Sequence, residues 1–423
     1  MILEKMYPVS YISLFVLLGA GCSGSVSTET ESTEISNIID LTAGFHNVQT
    51  VRLSEIADSV TFIPFETTSQ SLQGQGQKSL INFTAQYIYY FNTYYDWEGN
   101  YCGKIGRRGQ GPFEEPEGAS SVLFKDNHFY SKGSKFIEYD KTGKPTGKVK
   151  NLYADPRKFG TNDFLRRGTA FCVVGENFAI YDYPTTLYFL NTDFEIVSSR
   201  VVTYADSLPP YLNRLGGGAD VTTYKDKVLF YNFMNDTIFY VTDTGLESQW
   251  IVSFDDELRV STDAILNYRK YLEEWLTARA GGLSHENTKL IQLTDNKHKV
   301  VAVYETETCL FFHMTELIFS PELRNKQPAT PYYIIYDKKT GTTTRVNGNG
   351  FVDDLLDMDY FFPQLGIFDD KMITFMWPFE ILDYVEECKS KGREVNPQLL
   401  ELSQKIDPED NPILILIHLK KKL

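Results

Sequence analysis

The chain reads as an all-β protein, a six-bladed β-propeller with helical insertions in its late blades. Three observations predict this. Short apolar or alternating runs of four to eight residues, bounded by Asn, Asp and Gly, follow one another from residue 47 onwards. Aromatic residues make up 14% of the chain, with 27 Tyr and 29 Phe, a composition suited to pleated, half-buried surfaces. An internal repeat of roughly 40–50 residues runs through the sequence, the period of a four-stranded blade. Such a sheet cannot keep both faces dry alone, so blades stack around an axis.

In chain order the runs are Val60–Phe65, Tyr87–Phe91, Phe136–Tyr139, Thr186–Leu190, Val228–Asn232, Thr237–Val241, Tyr332–Tyr336 and Ile413–Ile417. Several end in a polar turn, and the turns carry the repeat. Their anchors Gly99, Gly143, Asp193, Gly245 and Gly341 are separated by 44, 50, 52 and 96 positions. The last gap reads as two periods, with a degenerate copy around Thr294–Lys297. Two segments change period. Ser261 to Ala280 has Ile265, Tyr268, Leu272, Trp275 and Leu276 at helical spacing, with Ser261 or Thr262 to start it and Gly281-Gly282 to end it. Residues 379–406 are also helical in pattern, with Pro397 placed for a helix start after Asn396.

The N-terminus is a targeting segment rather than part of the fold. Tyr11–Leu18 is apolar but too short to span a bilayer. It ends in Gly19-Ala-Gly-Cys22, and a Ser/Thr/Glu stretch follows. This pattern resembles a bacterial lipoprotein signal, with cleavage before Cys22 and the lipid on that thiol. Gly19 stands where the lipobox usually has Leu, and an ordinary signal peptide with an incidental Cys is the alternative. The expected division is residues 1–21 signal peptide, 22–46 lipidated polar tether and 47–423 propeller. The chain is then lipid-anchored in the cell envelope, at the outer membrane. Cys102, Cys172, Cys309 and Cys388 have no CxxC spacing, so they read as scattered thiols or as a disulfide pair that spacing cannot assign. The net charge of −15 with no basic cluster argues against nucleic acid as a partner.

The segment Lys104–Gly118 holds four glycines and two prolines, so it is a shaped loop between two strands. Its polar residues Arg107, Arg108, Gln110 and Glu114 are the candidate ligand-binding group, because a guanidinium can clamp a carboxylate or sulfate bidentately. The alternative is that an arginine pairs with Glu114 or Glu115 and holds the loop.

Three stretches resemble a family. They are Val51–Thr67, with Leu53-Ser-Glu-Ile56; Ile105-Gly-Arg-Arg-Gly-Gln-Gly-Pro112 with Glu114; and Asp410–Lys420, with Asn411-Pro412. Together they are similar to the six-bladed β-propeller lipoproteins of Bacteroidota, which include a domain of unknown function. Phe65 and Phe113 depart from that pattern. The loop also resembles an NHL repeat. The resemblance implies a propeller and a cell-envelope location; it supplies no catalytic residues.

Sequence motifs name no chemistry. There is no HExxH, GxSxG, EF-hand loop or phosphate cradle, and no catalytic residue, metal or cofactor is expected. The acidic pairs Asp255-Asp256, Asp353-Asp354 and Asp369-Asp370 read as turn residues. The many Tyr and Trp form either a stacking platform for sugars or the core between blades. The first functional reading is a propeller that binds a small ligand, glycan, peptide or envelope protein, with nutrient acquisition as a candidate role. The alternative is an extracytoplasmic hydrolase or lyase with its site in the axial channel.

Overall fold

The computed structural model describes residues 37–73, 81–115, 121–133, 135–151, 170–182, 186–201, 219–232, 235–243, 245–261, 264, 267–281, 288–294, 296–317 and 330–421. Residues 1–21, expected to be a signal peptide, and Cys22 lie outside them.

The described strands form the expected six blades, four of them four-stranded and two, blades 4 and 5, extended by a short fifth strand at the outer edge. Blade 1 spans Ile81–Phe83 to Tyr101–Lys104, blade 2 Ser121–Lys125 to Pro145–Asn151, and blade 3 Ala170–Val174 to Ile196–Val201. Blade 4 spans Ala219–Tyr224 to Gly245–Ser253, and blade 5 Lys297–Glu305 to Thr343–Val346. Blade 6 joins the two ends of the chain. Ile367–Phe368, Lys371–Met376 and Ile413–Leu419 are completed by Ala57–Pro64, antiparallel to the last of them. Closing the ring with a strand from the other terminus removes an open blade boundary, where sheet edges and apolar faces would meet water.

The core lies between blades. Six buried clusters each draw side chains from two neighbouring blades, such as Phe65 and Tyr95 with Ile373 and Leu414 between blades 6 and 1. Tyr89, Tyr90, Tyr95, Tyr181, Tyr333 and Tyr336 are among the most deeply buried side chains. Aromatics are chiefly the packing between blades here, because large rings fill wedge-shaped gaps that aliphatic residues leave open.

The turn repeat is one hairpin seen five times. Each anchor lies where the third strand of blades 1 to 5 turns into the fourth, Gly245 being the first residue of the fourth strand in blade 4. Asp96, Asp140, Asn191 and Asp337 open the turn, and each side chain accepts the backbone N–H two residues on. Gly99, Gly143 and Gly341 close it at φ of +88°, +78° and +71°. In blade 3 the left-handed residue is Phe194 (φ +59°), next to the anchor Asp193. Its ring stacks on Phe136 of blade 2, and that burial offsets the cost of a side chain at positive φ.

The 96-residue gap is not two blades. Thr294 ends a helix and Lys297 begins the innermost strand of blade 5, so no blade lies there. The gap is lengthened by the insertion before blade 5. The sixth blade comes after Gly341 instead, with its outer strand borrowed from the N-terminus.

Residues assigned by sequence to the tether pack on the propeller. Ile38–Asp40 pairs in parallel with Ile251–Ser253 of blade 4, helix α1 (Leu41–His46) follows, and Val48–Gln49 pairs with Arg345–Val346 of blade 5. Asp40 caps α1 by accepting from the Ala43 N–H. Phe45 packs against His298 and lies under the Arg345 guanidinium. Helix α2 (Leu53–Ile56) then leads into blade 6.

Both predicted insertions are helical. The first gives α3 (Tyr268–Ala280) and α4 (Lys289–Thr294) between blades 4 and 5. The second gives α5 (Pro378–Ser390) and α6 (Pro397–Ser403) inside blade 6, with Asn396 capping α6. Among the described residues no helix is long and apolar enough to cross a membrane. Cys102, Cys172, Cys309 and Cys388 are free thiols, and all but Cys102 are buried.

Candidate functional site

The Gly-rich loop crosses from blade 1 to blade 2. Arg107-Arg108 pairs in parallel with Glu114-Glu115. Arg107, Arg108 and Gln110 are exposed, whereas Glu114 turns inward and its Oε2 accepts the Gly111 N–H at 2.9 Å. Lys135 braces the loop by donating to the carbonyls of Gly111, Pro112 and Glu114 at 2.6, 3.2 and 2.8 Å. Glu115 is buried and accepts the Lys135 N–H. The loop is therefore held from beneath, with its arginines left on the surface. They line neither cavity described below.

The two faces of the propeller differ. On the face of the first-to-second strand turns, blades 4, 5 and 6 are tied by polar contacts. Tyr224 donates to Glu307 at 3.0 Å, and the Glu307 N–H donates to Asp370 at 3.0 Å. Beside them buried Glu305 accepts from Tyr240 at 2.8 Å and from Lys338 at 2.7 Å. Burial and the adjacent carboxylate push the Tyr240 hydroxyl well above its usual range. Each of these groups is already partnered, so this face is a structural clasp.

The opposite face carries a cavity of about 580 Å³ where blade 5 meets the segment leading into blade 6. His313 and Thr315 come from the second strand of blade 5, Thr330 and Pro331 from the entry to its third, and Val301 from its innermost strand. Val301 is a bulge residue. Val300 pairs with Met314 and Ala302 with His313, which leaves Val301 unpaired and 38% exposed. Bulges of this kind re-aim side chains at the rims of sheets. Asn349 sits between Gly348 (φ +72°) and Gly350 (φ +137°). A Cβ on Gly350 would lie 2.4 Å from the Phe361 carbonyl oxygen, so only glycine lets the loop pass there. Phe362 and Gln364 complete the wall.

His313 lies at the junction. It stacks on Tyr333 (centroids 5.2 Å apart, planes at 20°) and meets the edge of Phe362 at 5.7 Å. Burial, and then the charge of Lys299, push its pKa down to about 4, so the imidazole is neutral at physiological pH. Its Nε2 is buried without a hydrogen-bond partner.

A second cavity of about 200 Å³ shares Phe362 and Gln364 with the first and is lined also by Tyr360, Asp353 and Glu380. Asp353 is buried, and its Oδ1 accepts the N–H groups of Leu355 and Leu356 at 3.2 and 2.9 Å, the turn role read from sequence. Burial raises its pKa to about 6. Glu380 accepts the Trp377 N–H at 2.7 Å at the start of α5.

Sequence reasoning missed these residues. The signal available was Asn347-Gly-Asn-Gly350, a loop that needs positive φ at two places. His313 carried none, because it sits alone in an apolar strand. Among the described residues no three His, Cys, Asp or Glu side chains gather in a way that could hold a metal ion.

Radial four-stranded sheets, N-terminal closure and a cavity on one face define a six-bladed β-propeller. The chain belongs to the family described as a domain of unknown function, DUF4934, whose profile matches residues 36–418. It is similar in structure to a Bacteroides fragilis NCTC 9343 protein provisionally designated as exported. That likeness has 17% identity and a TM-score of 0.57, over 90% of this chain and 99% of that one. Weaker likenesses are to BamB from Moraxella catarrhalis (12% identity, 68% and 63% of the two chains, TM-score 0.29) and to a streptogramin B lyase (11%, 69% and 89%, 0.31). No curated protein matches.

Proposed function

We propose that this protein is an exported, lipid-anchored binding propeller that captures a small ligand in the cavity between blades 5 and 6. The observation that carries the reading is that cavity, whose 580 Å³ falls in the usual range for small-molecule sites. It combines the Phe362 ring, two amides, two threonine hydroxyls and an imidazole. The signal-like N-terminus with Cys22, and the exported designation of the Bacteroides fragilis relative, support a place outside the cytoplasm. Lipid on Cys22 would tether the propeller to the outer membrane, in keeping with a role in nutrient capture. The exposed group Arg107, Arg108 and Gln110 is a secondary contact surface for an acidic envelope partner.

Two measurements test this. Thermal melting across glycans and peptides should find a ligand that raises Tm through preferential binding to the folded state. Fractionation of cells expressing Cys22→Ser should find the protein released from membranes. A melting temperature indifferent to every compound, or an unchanged membrane fraction for Cys22→Ser, counts against the corresponding half.

A further inference from the structure

Resting on the reading that the cavity between blades 5 and 6 is the binding site, we infer that its ligand is a neutral carbohydrate. Among the described residues, none of the eight that line the cavity is acidic, Lys or Arg. The polar groups are the amides of Asn349 and Gln364, the hydroxyls of Thr315 and Thr330, and the His313 imidazole. An amide presents a donor and an acceptor side by side, and each sugar hydroxyl both donates and accepts, so neighbouring hydroxyls match an amide edge. Asn349 and Gln364 are both exposed, and neither makes a hydrogen bond to another described residue. Their hydrogen-bonding capacity is not committed to holding the fold.

The walls complete the match. Phe362, Val301 and Pro331 give apolar surface beside these polar groups. A pyranose has the same division, with C–H groups that pack on a ring face and a rim of hydroxyls. A charged ligand fits less well. It would leave water for a site whose described lining residues offer no counter-charge, and an unpaired charge is the costliest group to desolvate. Lys299, whose charge acts on His313, is not part of the lining. The histidine stays uncharged at neutral pH, so it can meet a hydroxyl as donor or acceptor without demanding an anion.

Isothermal titration of the whole protein at pH 7 tests the assignment. The probes are neutral trisaccharides (maltotriose, cellotriose, xylotriose, mannotriose), the acidic trigalacturonate, the cationic chitosan trimer and the tripeptides Ala-Ala-Ala and Gly-Lys-Gly. At least one neutral trisaccharide should bind. Gln364→Ala and Asn349→Ala should each weaken it about tenfold, the loss of one good hydrogen bond to a ligand, with Tm unchanged because both side chains are exposed. Phe362→Ala should weaken it further. If only a charged sugar or a tripeptide binds, and the same variants weaken it, the cavity remains the site but the neutral-carbohydrate assignment falls. If a probe binds and these variants leave its affinity intact, or if no probe binds, both the assignment and the choice of cavity are overturned.

Discussion

His313 lies almost flat on Tyr333, 5.2 Å between centroids, while its Nε2 is buried with no hydrogen-bond partner. Burial, and then the charge of Lys299, hold the imidazole neutral. Its pKa in the folded protein, about 4, lies below the ordinary value of 6.5. Its contribution to stability is therefore complete above pH 6.5 and is lost as the pH falls towards 4. The loss is at most about 3 kcal/mol, since each tenfold change in proton affinity is worth about 1.36 kcal/mol. His298 is depressed in the same way, to about 4. Urea unfolding at pH 7 and pH 4.5 should show a smaller pH-dependent loss in His313→Phe than in the unaltered protein.

Asp353 has the opposite sign. Burial raises its pKa in the folded protein to about 6, above the ordinary value of 3.8. The stability tied to its neutral form is fully present below pH 3.8 and disappears as the pH rises through 6. Asparagine keeps an oxygen for the Leu355 and Leu356 N–H groups and carries no charge. Asp353→Asn should therefore be more stable than the unaltered protein at pH 7.5, by about 1–3 kcal/mol, and indistinguishable from it at pH 3.5. Denaturation midpoints at the two pH values check this.

The N-terminal segment is held to the outer edges of blades 4 and 5 by two short parallel pairings and by Phe45 between them. Phe45→Ala should cost about 1–3 kcal/mol, less than a fully buried Phe because the ring is half-buried. Hydrogen exchange should speed up over Ile38–Gln49 and leave blades 2 and 3 unchanged.

Lys135 donates to three loop carbonyls, those of Gly111, Pro112 and Glu114. Lys135→Met should lower stability by about 1–3 kcal/mol, the cost of leaving polar groups unpaired. It should also raise proteolysis within residues 107–115. An equal rise across the whole chain would mean that Lys135 supports the blade rather than the loop.

The fold is largely legible in the sequence because its repeat is chemical as well as geometric. Asp96, Asp140, Asn191 and Asp337 start one turn in four blades, and composition marks such turns strongly. Thr294–Lys297 reads as a further copy only because spacing alone cannot tell an inserted helix from a missing blade. The sequence pattern starts the propeller at residue 47, although Ile38–His46 already packs against it. That stretch makes only three residue pairs before its helix, too few for a period to show. The site is poorly legible for another reason. Val301, His313, Asn349 and Gln364 meet only because blade 5 and the segment after it face one another, and single residues spread over 63 positions leave no motif. In the loop that looks most chemical, with Arg107 and Arg108, a Cβ on Gly106 would lie 2.7 Å from the Tyr139 hydroxyl and one on Gly111 2.9 Å from Glu114 Oε2, so close packing accounts for these glycines.

Hydrogen–deuterium exchange with a saturating ligand tests the central claim, that binding occurs between blades 5 and 6. Binding there should slow exchange only over Lys297–Leu317, Pro331–Ile334 and Asn347–Gly366. Protection centred instead on Arg107–Glu115, or on the Tyr224–Glu307–Asp370 clasp, would contradict it.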